Sequence, residues 1–187
     1  MKRGFSTRDL ALAALGAAII TVCSWISVPA FLPTGVPFTL QTFAVCLLAA
    51  LYGWKLGLLA IGCYLLLGAV GLPVFAGFKG GIGALLGVTG GYLVGFLFTG
   101  LLTGLAADKL GRKLPILLPG MVLGLALCYA FGTAWFVLIY AKNTGPVSFS
   151  VAMGWCVLPY LLPDAVKLTL SALLAGRLFP LLQKVRN

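Results

Sequence analysis

The chain has 187 residues, of which 61% are hydrophobic and only 9% are charged, and its mean hydropathy is +1.13. Soluble domains typically have about 45–50% apolar and about 25% charged residues, so this chain has too few polar side chains to cover a globule in water. Its charges are 13 Lys and Arg against three Asp, without Glu or His. The composition therefore excludes a soluble domain, histidine-based general bases and most metal sites.

Six apolar segments follow one another along the chain, each near the roughly 20 residues that cross a bilayer as a helix. They lie at about residues 9–28, 37–53, 56–71, 88–107, 115–140 and 157–180. Gly53, Trp54-Lys55 and Gly57 favour a tight reversal between the second and third segments over one long kinked helix. We expect one domain, residues 1–187, that is an all-α integral membrane protein: a compact bundle of six transmembrane helices. Five crossings, or four with re-entrant segments, are the alternatives.

Proline and glycine mark two irregular regions. Residues 72–87 are too rich in glycine to form an unsupported span. Pro is tolerated at the first helical position, so we expect the last spanning helix to begin at Pro163, after a separate short helix that begins near Ser148.

Basic residues are distributed unequally between the two ends of this predicted bundle. Lys79 and Lys142 fall at one end and Lys167 lies inside the last span, whereas the other ten fall at the opposite end: Lys2, Arg3, Arg8, Lys55, Lys109, Arg112, Lys113, Arg177, Lys184 and Arg186. Cytoplasmic loops carry an excess of Lys and Arg. The pattern predicts a multi-pass cell-membrane protein with both termini in the cytoplasm (N-in/C-in). The net charge of +10 then reflects orientation, and no nucleic acid partner is expected.

Motifs for enzymatic chemistry are missing from the sequence. The five cysteines are widely spaced, which is typical of small buried hydrophobes rather than of a metal or redox site. The chain contains no G-x-x-x-x-G-K-[ST] phosphate-binding loop and no histidine to activate a serine. We expect neither an enzyme nor a bound metal or cofactor.

Asp164 and Lys167 are three residues apart in the last span and therefore share one helix face. Ionisable groups at membrane depth are costly, so they usually face a cavity and pair with each other or with a ligand. The pair predicts the polar end of a small-molecule pocket; a structural salt bridge and snorkelling to the interface are the alternatives. Asp9 and Asp108 stand beside basic residues and are expected to be solvated or ion-paired loop charges.

The segment between the first two spans combines stiff backbone with polar side chains. Two prolines and a glycine within residues 33–37 predict a stiff outer hairpin, after which Thr39, Gln41 and Thr42 begin the next span. Side chains of this kind often bond across helices, which we expect of Thr39. Gln41 offers both a donor and an acceptor and is a candidate pocket residue.

A glycine-rich segment, residues 71–83 followed by 87–92, is expected at the same end. Glycine lets the backbone approach a ligand closely, and irregular backbone at this depth is tolerated where it lines a cavity. Phe75, Phe78 and Tyr92 are candidates to wall an apolar ring. The alternative is that the glycines only permit close helix packing.

Small residues recur at helical spacing on the first helix. Ala13 with Ala17 and Ala14 with Ala18 form two overlapping small-x-x-x-small pairs. Such pairs create a flat stripe for close helix packing. The stripe suits either this chain's own helices or those of a partner, and a homo-oligomer is left open.

Four stretches together resemble the biotin-uptake S component of energy-coupling-factor (ECF) transporters, the BioY family. These are Val36-Pro37-Phe38-Thr39-Leu40-Gln41-Thr42, Gly71-Leu72-Pro73-Val74-Phe75-Ala76-Gly77, Thr89-Gly90-Gly91-Tyr92 and Pro163-Asp164-x-x-Lys167. The resemblance covers nearly the whole chain, in order. It implies six helices, biotin bound at the outer side under the loop between helices one and two, and work with a transmembrane T component and two cytoplasmic ATPases.

The resemblance also implies roles for particular residues. Asp164 and Lys167 are expected to contact the biotin head, and the stripe of Ala13, Ala14, Ala17 and Ala18 to contact the T component. Biotin offers an apolar ring system, urea-type donors and acceptors, and one carboxylate. Independently of the resemblance, the lone positive charge of Lys79 in the outer loop makes it the candidate to meet that carboxylate. The candidate substrate-binding residues are Asp164, Lys167, Gln41, Phe38, Phe75, Lys79, Gly81 and Tyr92. An S component for another vitamin and a stand-alone facilitator or small channel are the alternatives.

Overall fold

The computed structural model describes residues 6–28 and 36–186, with side chains described up to residue 183. The predictions for Lys2, Arg3 and residues 33–35, and for the side chains of Lys184 and Arg186, lie outside the described part. The elements are α1 (Thr7–Trp25), β1 (Ser27–Val28), β2 (Phe38–Thr39), α2 (Gln41–Ala69), a 3₁₀ turn (Ala76–Phe78), α3 (Ile82–Leu86), α4 (Gly90–Lys109), α5 (Leu114–Asn143), α6 (Phe149–Cys156) and α7 (Leu158–Arg186).

Five helices in the described residues are long and apolar enough to cross a membrane: α1, α2, α4, α5 and α7. Their outward faces carry large apolar side chains, among them Leu162, which is 78% exposed. A helix that is apolar on its outward face as well as its inward face suits a lipid environment. The expectation of an all-α membrane protein is thereby confirmed.

Helix α2 folds back on itself at Gly53. This residue has φ 79° and ψ 177°, a combination essentially restricted to glycine. In a straight helix Ala49 and Gly57 would be about 12 Å apart along the axis. Instead, a Cβ built on Gly57 would lie 3.0 Å from the Cα of Ala49, so the two halves of α2 run side by side.

A charged cluster closes this reversal from the neighbouring helices. The Asp108 carboxylate, at the end of α4, accepts the backbone N–H of Trp54 at 3.0 Å. Arg112 donates to Asp108 at 3.1 Å and to the carbonyl of Ala50 at 2.8 Å, and its guanidinium lies 3.6 Å from the centroid of the Phe179 ring. Asp108 is thus a helix-terminal anchor that is ion-paired, as expected, but is not a loop charge.

Helix ends differ from expectation in two further places. Asp9 lies in the first turn of α1 and forms a capping box with Ser6, because its carboxylate accepts the Ser6 backbone N–H. The separate helix expected near Ser148 exists as α6, with Ser148 as its N-cap. However, α7 begins at Leu158 rather than at Pro163, because Pro159 occupies its first turn and Pro163 is accommodated inside the helix.

The alanine stripe of α1 is divided between two faces. Ala13 and Ala17 are 1% and 0% exposed and pack in the core of this chain, whereas Ala14 and Ala18 are exposed. The neighbouring Gly16 sits so close to α2 that an added Cβ would lie 2.8 Å from the Cβ of Ala60. The expectation that all four alanines contact a partner is therefore wrong for Ala13 and Ala17, since α2 already covers that face.

Candidate binding cavity

A cavity of about 730 Å³ opens at the end of the bundle where α1 ends and α7 begins. Pockets for small molecules typically occupy about 300–1,000 Å³. Its wall comes from β1, β2, the starts of α2, α4 and α7, the glycine-rich segment before α4, the middle of α5 and the end of α6. One end of the bundle thus holds most of the polar side chains that were predicted to meet.

Asp164 and Lys167 both line this cavity, on the same face of α7. Lys167 Nζ donates to Asp164 Oδ1 at 2.7 Å, and the side chains are 12% and 5% exposed. The hydroxyl of Tyr129, on α5, donates to Asp164 Oδ2. Buried charges are tolerated where they are paired and hydrogen-bonded, and here both carboxylate oxygens have a donor.

Gln41 lines the cavity as predicted, but its amide is also bonded to the protein. Its Oε1 accepts from Thr39 Oγ1 at 3.0 Å, and its Nε2 donates to the hydroxyl of Tyr64. The amide oxygen keeps a second lone pair, and the amide nitrogen keeps a second N–H, for another partner. Gln41 therefore combines a structural link between β2 and the second half of α2 with a place in the wall.

The glycine-rich segment supplies Phe75 and Lys79. Phe75 lines the cavity, is 3% exposed, and packs edge-on to Tyr64 with ring centroids 5.4 Å apart. It fits there because Gly68 has no side chain, since an added Cβ would overlap the Phe75 ring. Lys79 is solvent-exposed and lies at the cavity mouth. Phe78 instead points away, 63% exposed and stacked on Trp25, so it does not wall the cavity.

Tyr92, on α4, lines the cavity and shares a hydrogen bond of 3.0 Å with Thr133 Oγ1 on α5. Gly132 leaves the space that its ring occupies. Phe38 and Gly81 do not line the cavity. Phe38 stacks behind the wall on Tyr160, with ring centroids 4.2 Å apart, and the Gly81 N–H bonds to the Gly68 carbonyl at 2.7 Å.

Several wall residues were not identified as pocket residues from the sequence, among them Tyr129, Tyr160, Cys128 and Cys156. Tyr160 is 7% exposed and donates to the carbonyl of Val36. Tyr129 lies in an apolar run, where its hydroxyl requires a partner. That requirement is the signal that the sequence offered for it.

The model of the BioY family matches residues 1–184. The chain is 43% identical to the biotin transporter BioY of Thermotoga maritima over 176 residues, which cover 91% of this chain and 95% of that protein. It is 39% identical to the probable biotin transporter BioY of Pyrococcus horikoshii over 171 residues, with 91% and 96% covered.

A solved structure has the same fold. It is the S component for biotin from an ECF-type ABC transporter, and it matches with a TM-score of 0.80 and 26% identity over 94% of each chain. These relatives are named as transporters and not as enzymes. Because the family model matches nearly the full length and two relatives align end to end, the chain belongs to the BioY family.

Proposed function

We propose that this chain is the biotin-binding S component of an ECF-type vitamin transporter and holds biotin in the 730 Å³ cavity. The observation that carries the proposal is the Asp164–Lys167 pair, which presents an acceptor beside a donor in an otherwise largely apolar cavity. The ureido ring of biotin has N–H donors beside a carbonyl acceptor. A pocket with few, convergent polar groups is the usual design for orienting such a ligand.

The remaining wall suits the rest of the ligand. In this arrangement Asp164 accepts a ureido N–H, and Lys167, whose ammonium keeps two further donors, binds the ureido oxygen. Phe75, Tyr92 and Phe96 surround the apolar ring system. Lys79 at the mouth meets the carboxylate, so the ligand lies head-inward and its charged tail stays near water.

The same proposal includes six crossings with both termini in the cytoplasm. It is supported by the fold-back at Gly53, which turns α2 into two antiparallel halves. The described basic side chains other than Lys79, Lys142 and Lys167 fall at the end of the bundle opposite the cavity, as the positive-inside rule requires if that end is cytoplasmic. The cavity then opens to the outside.

If ATP drives the transport, partners must hydrolyse it, because this sequence has no phosphate-binding loop for ATP. We assign the energy to a T component and two cytoplasmic ATPases, with Ala14 and Ala18 as the contact that α1 leaves exposed. The alternative is a stand-alone facilitator. Biotin uptake by liposomes that contain only this chain would support that alternative.

Thermal unfolding of the purified chain in detergent tests the ligand. Once free biotin exceeds Kd, each tenfold increase is expected to add about 1.4 kcal/mol to the free energy of unfolding. Other water-soluble vitamins at the same concentrations serve as controls. Stabilisation by one of them, with none by biotin, would assign the chain to a different substrate.

A further inference from the structure

The hydroxyl of Tyr129 is the second donor to the carboxylate of Asp164 and comes from a different helix. Lys167 lies on α7, one turn from Asp164, and donates to Oδ1, whereas Tyr129 lies on α5 and donates to Oδ2. Tyr129, Asp164 and Lys167 all line the cavity. The carboxylate is therefore held from two sides, once within its own helix and once across the bundle.

Two donors on different oxygens fix the plane of the carboxylate. The last torsion of an aspartate side chain is broad and roughly two-fold, so a single donor leaves the group free to rotate. Lys167 alone would leave that freedom, because its ammonium moves on a flexible four-carbon stem. An ionised carboxylate has about four lone-pair sites, and the protein uses two here, which leaves the others for N–H groups in the cavity.

We infer that Tyr129 is a positioning residue for ligand binding: its hydroxyl orients the Asp164 carboxylate so that the free lone pairs face the N–H donors of the bound ring. The inference rests on the proposed function, since it takes Asp164 as the group that accepts from the ligand. Tyr129 acts through Asp164, not by a hydrogen bond of its own to the ligand. It also sets specificity, because an oriented carboxylate favours a ring N–H at one fixed angle.

The test is a double-mutant cycle on the affinity of the purified chain for tritiated biotin. Tyr129→Phe, which keeps the ring and removes the donor, is expected to weaken binding roughly tenfold. In the Asp164→Ala background, where no carboxylate remains to be oriented, the same substitution is expected to change affinity by less than about twofold. Such non-additivity is the signature of two residues that act through one another.

Tyr140→Phe is the matched control, because Tyr140 lies on the same helix and stacks on Phe136 outside the cavity wall. It is expected to leave the affinity unchanged. If Tyr129→Phe does not yield folded protein, Tyr129→Met removes the same donor with a side chain that adapts to irregular space. Unfolding temperatures without biotin separate lost affinity from lost folding.

Each outcome decides the matter. Unchanged affinity in Tyr129→Phe, with the wild type binding biotin, would overturn the positioning role and leave the proposed function intact. An equal loss in both backgrounds would also overturn it, since Tyr129 would then contact the ligand or support the fold independently of Asp164. Absence of biotin binding by the wild type would overturn the proposed function, and this inference with it.

Discussion

In the described part of the bundle most buried polar side chains have specific hydrogen-bond partners, several of them tyrosine hydroxyls, and Thr103 Oγ1 is the exception. Tyr129 bonds to Asp164, Tyr160 to the Val36 carbonyl, and Gln41 to Tyr64. Water is absent from the hydrocarbon core, so an unsatisfied polar group there costs several kcal/mol. The cavity wall is therefore ordered before any ligand arrives, which limits the entropy that binding must remove.

Removing either member of the Asp164–Lys167 pair should weaken biotin binding. Asp164→Asn and Lys167→Ala are each expected to lower the binding free energy by about 1–3 kcal/mol, because each leaves a buried partner unsatisfied. Equilibrium binding of tritiated biotin measures the effect. Lys142→Ala, an exposed lysine in the last turn of α5, is the control and should bind normally. Wild-type affinity in both pocket variants would identify the pair as a structural salt bridge.

Lys79 should affect only the carboxylate end of the ligand. It is exposed at the mouth, where a salt bridge is worth about 0.2–1 kcal/mol, so Lys79→Ala is expected to weaken biotin binding by no more than about fivefold. The methyl ester of biotin lacks the negative charge and should bind both proteins equally. If Lys79→Ala weakens the ester as much as the acid, the lysine does not pair with the carboxylate.

The sequence predicted the charged part of the site better than its neutral part. Asp164 and Lys167 were recognisable because charges are rare at membrane depth and their spacing fixes a shared face. Tyr129 was missed because its partner lies 35 residues away, and pairing between helices depends on how they rotate about their axes. Phe38 and Gly81 were predicted to line the cavity, and other residues of the same two segments do line it. Phe38 itself stacks on Tyr160 and therefore lies behind the wall.

At the level of elements, the fold-back of α2 depends on one glycine. Gly53 was expected to help form a reversal, and its φ of 79° with ψ of 177° explains why no other residue serves well there. An added Cβ would also collide with the Asp108 carboxylate, which holds the Trp54 N–H. The first residue of α7 could not be predicted from its prolines, because proline is compatible both with a helix start and with a kinked helix interior.

Gly53→Ala is therefore expected to destabilise the protein by at least about 1–3 kcal/mol, the usual cost of a strained backbone, with the steric conflict added to it. Chemical unfolding in mild detergent, followed by circular dichroism, measures the change. Gly62→Ala, in the second half of the same helix, has open space around the new methyl group and should be neutral or stabilising by up to about 1 kcal/mol. Equal stability of the two variants would contradict this account of the reversal.

At the scale of the whole molecule, one face of α1 packs inside the bundle and the other face is available for assembly with a partner. Ala13 and Ala17 are covered by α2, while Ala14 and Ala18 face outward at the same spacing. Close approach of two membrane helices requires small residues on both sides of the contact. An exposed small-x-x-x-small pair on a lipid-facing helix is thus available for the T component that the proposed function requires.

Ala14→Leu with Ala18→Leu should reduce co-purification with the T component and the ATPases, and should reduce biotin uptake by cells. Biotin binding by the isolated chain should stay unchanged, because the cavity lies at the far end of α1 and neither residue lines it. Ala17→Leu is the contrasting variant: its side chain is fully buried, so overpacking should lower stability by about 1–3 kcal/mol. If the variant with Ala14→Leu and Ala18→Leu assembles and transports normally, another surface of the bundle contacts the T component. Biotin uptake by liposomes that contain this chain alone would show that transport does not need that partner.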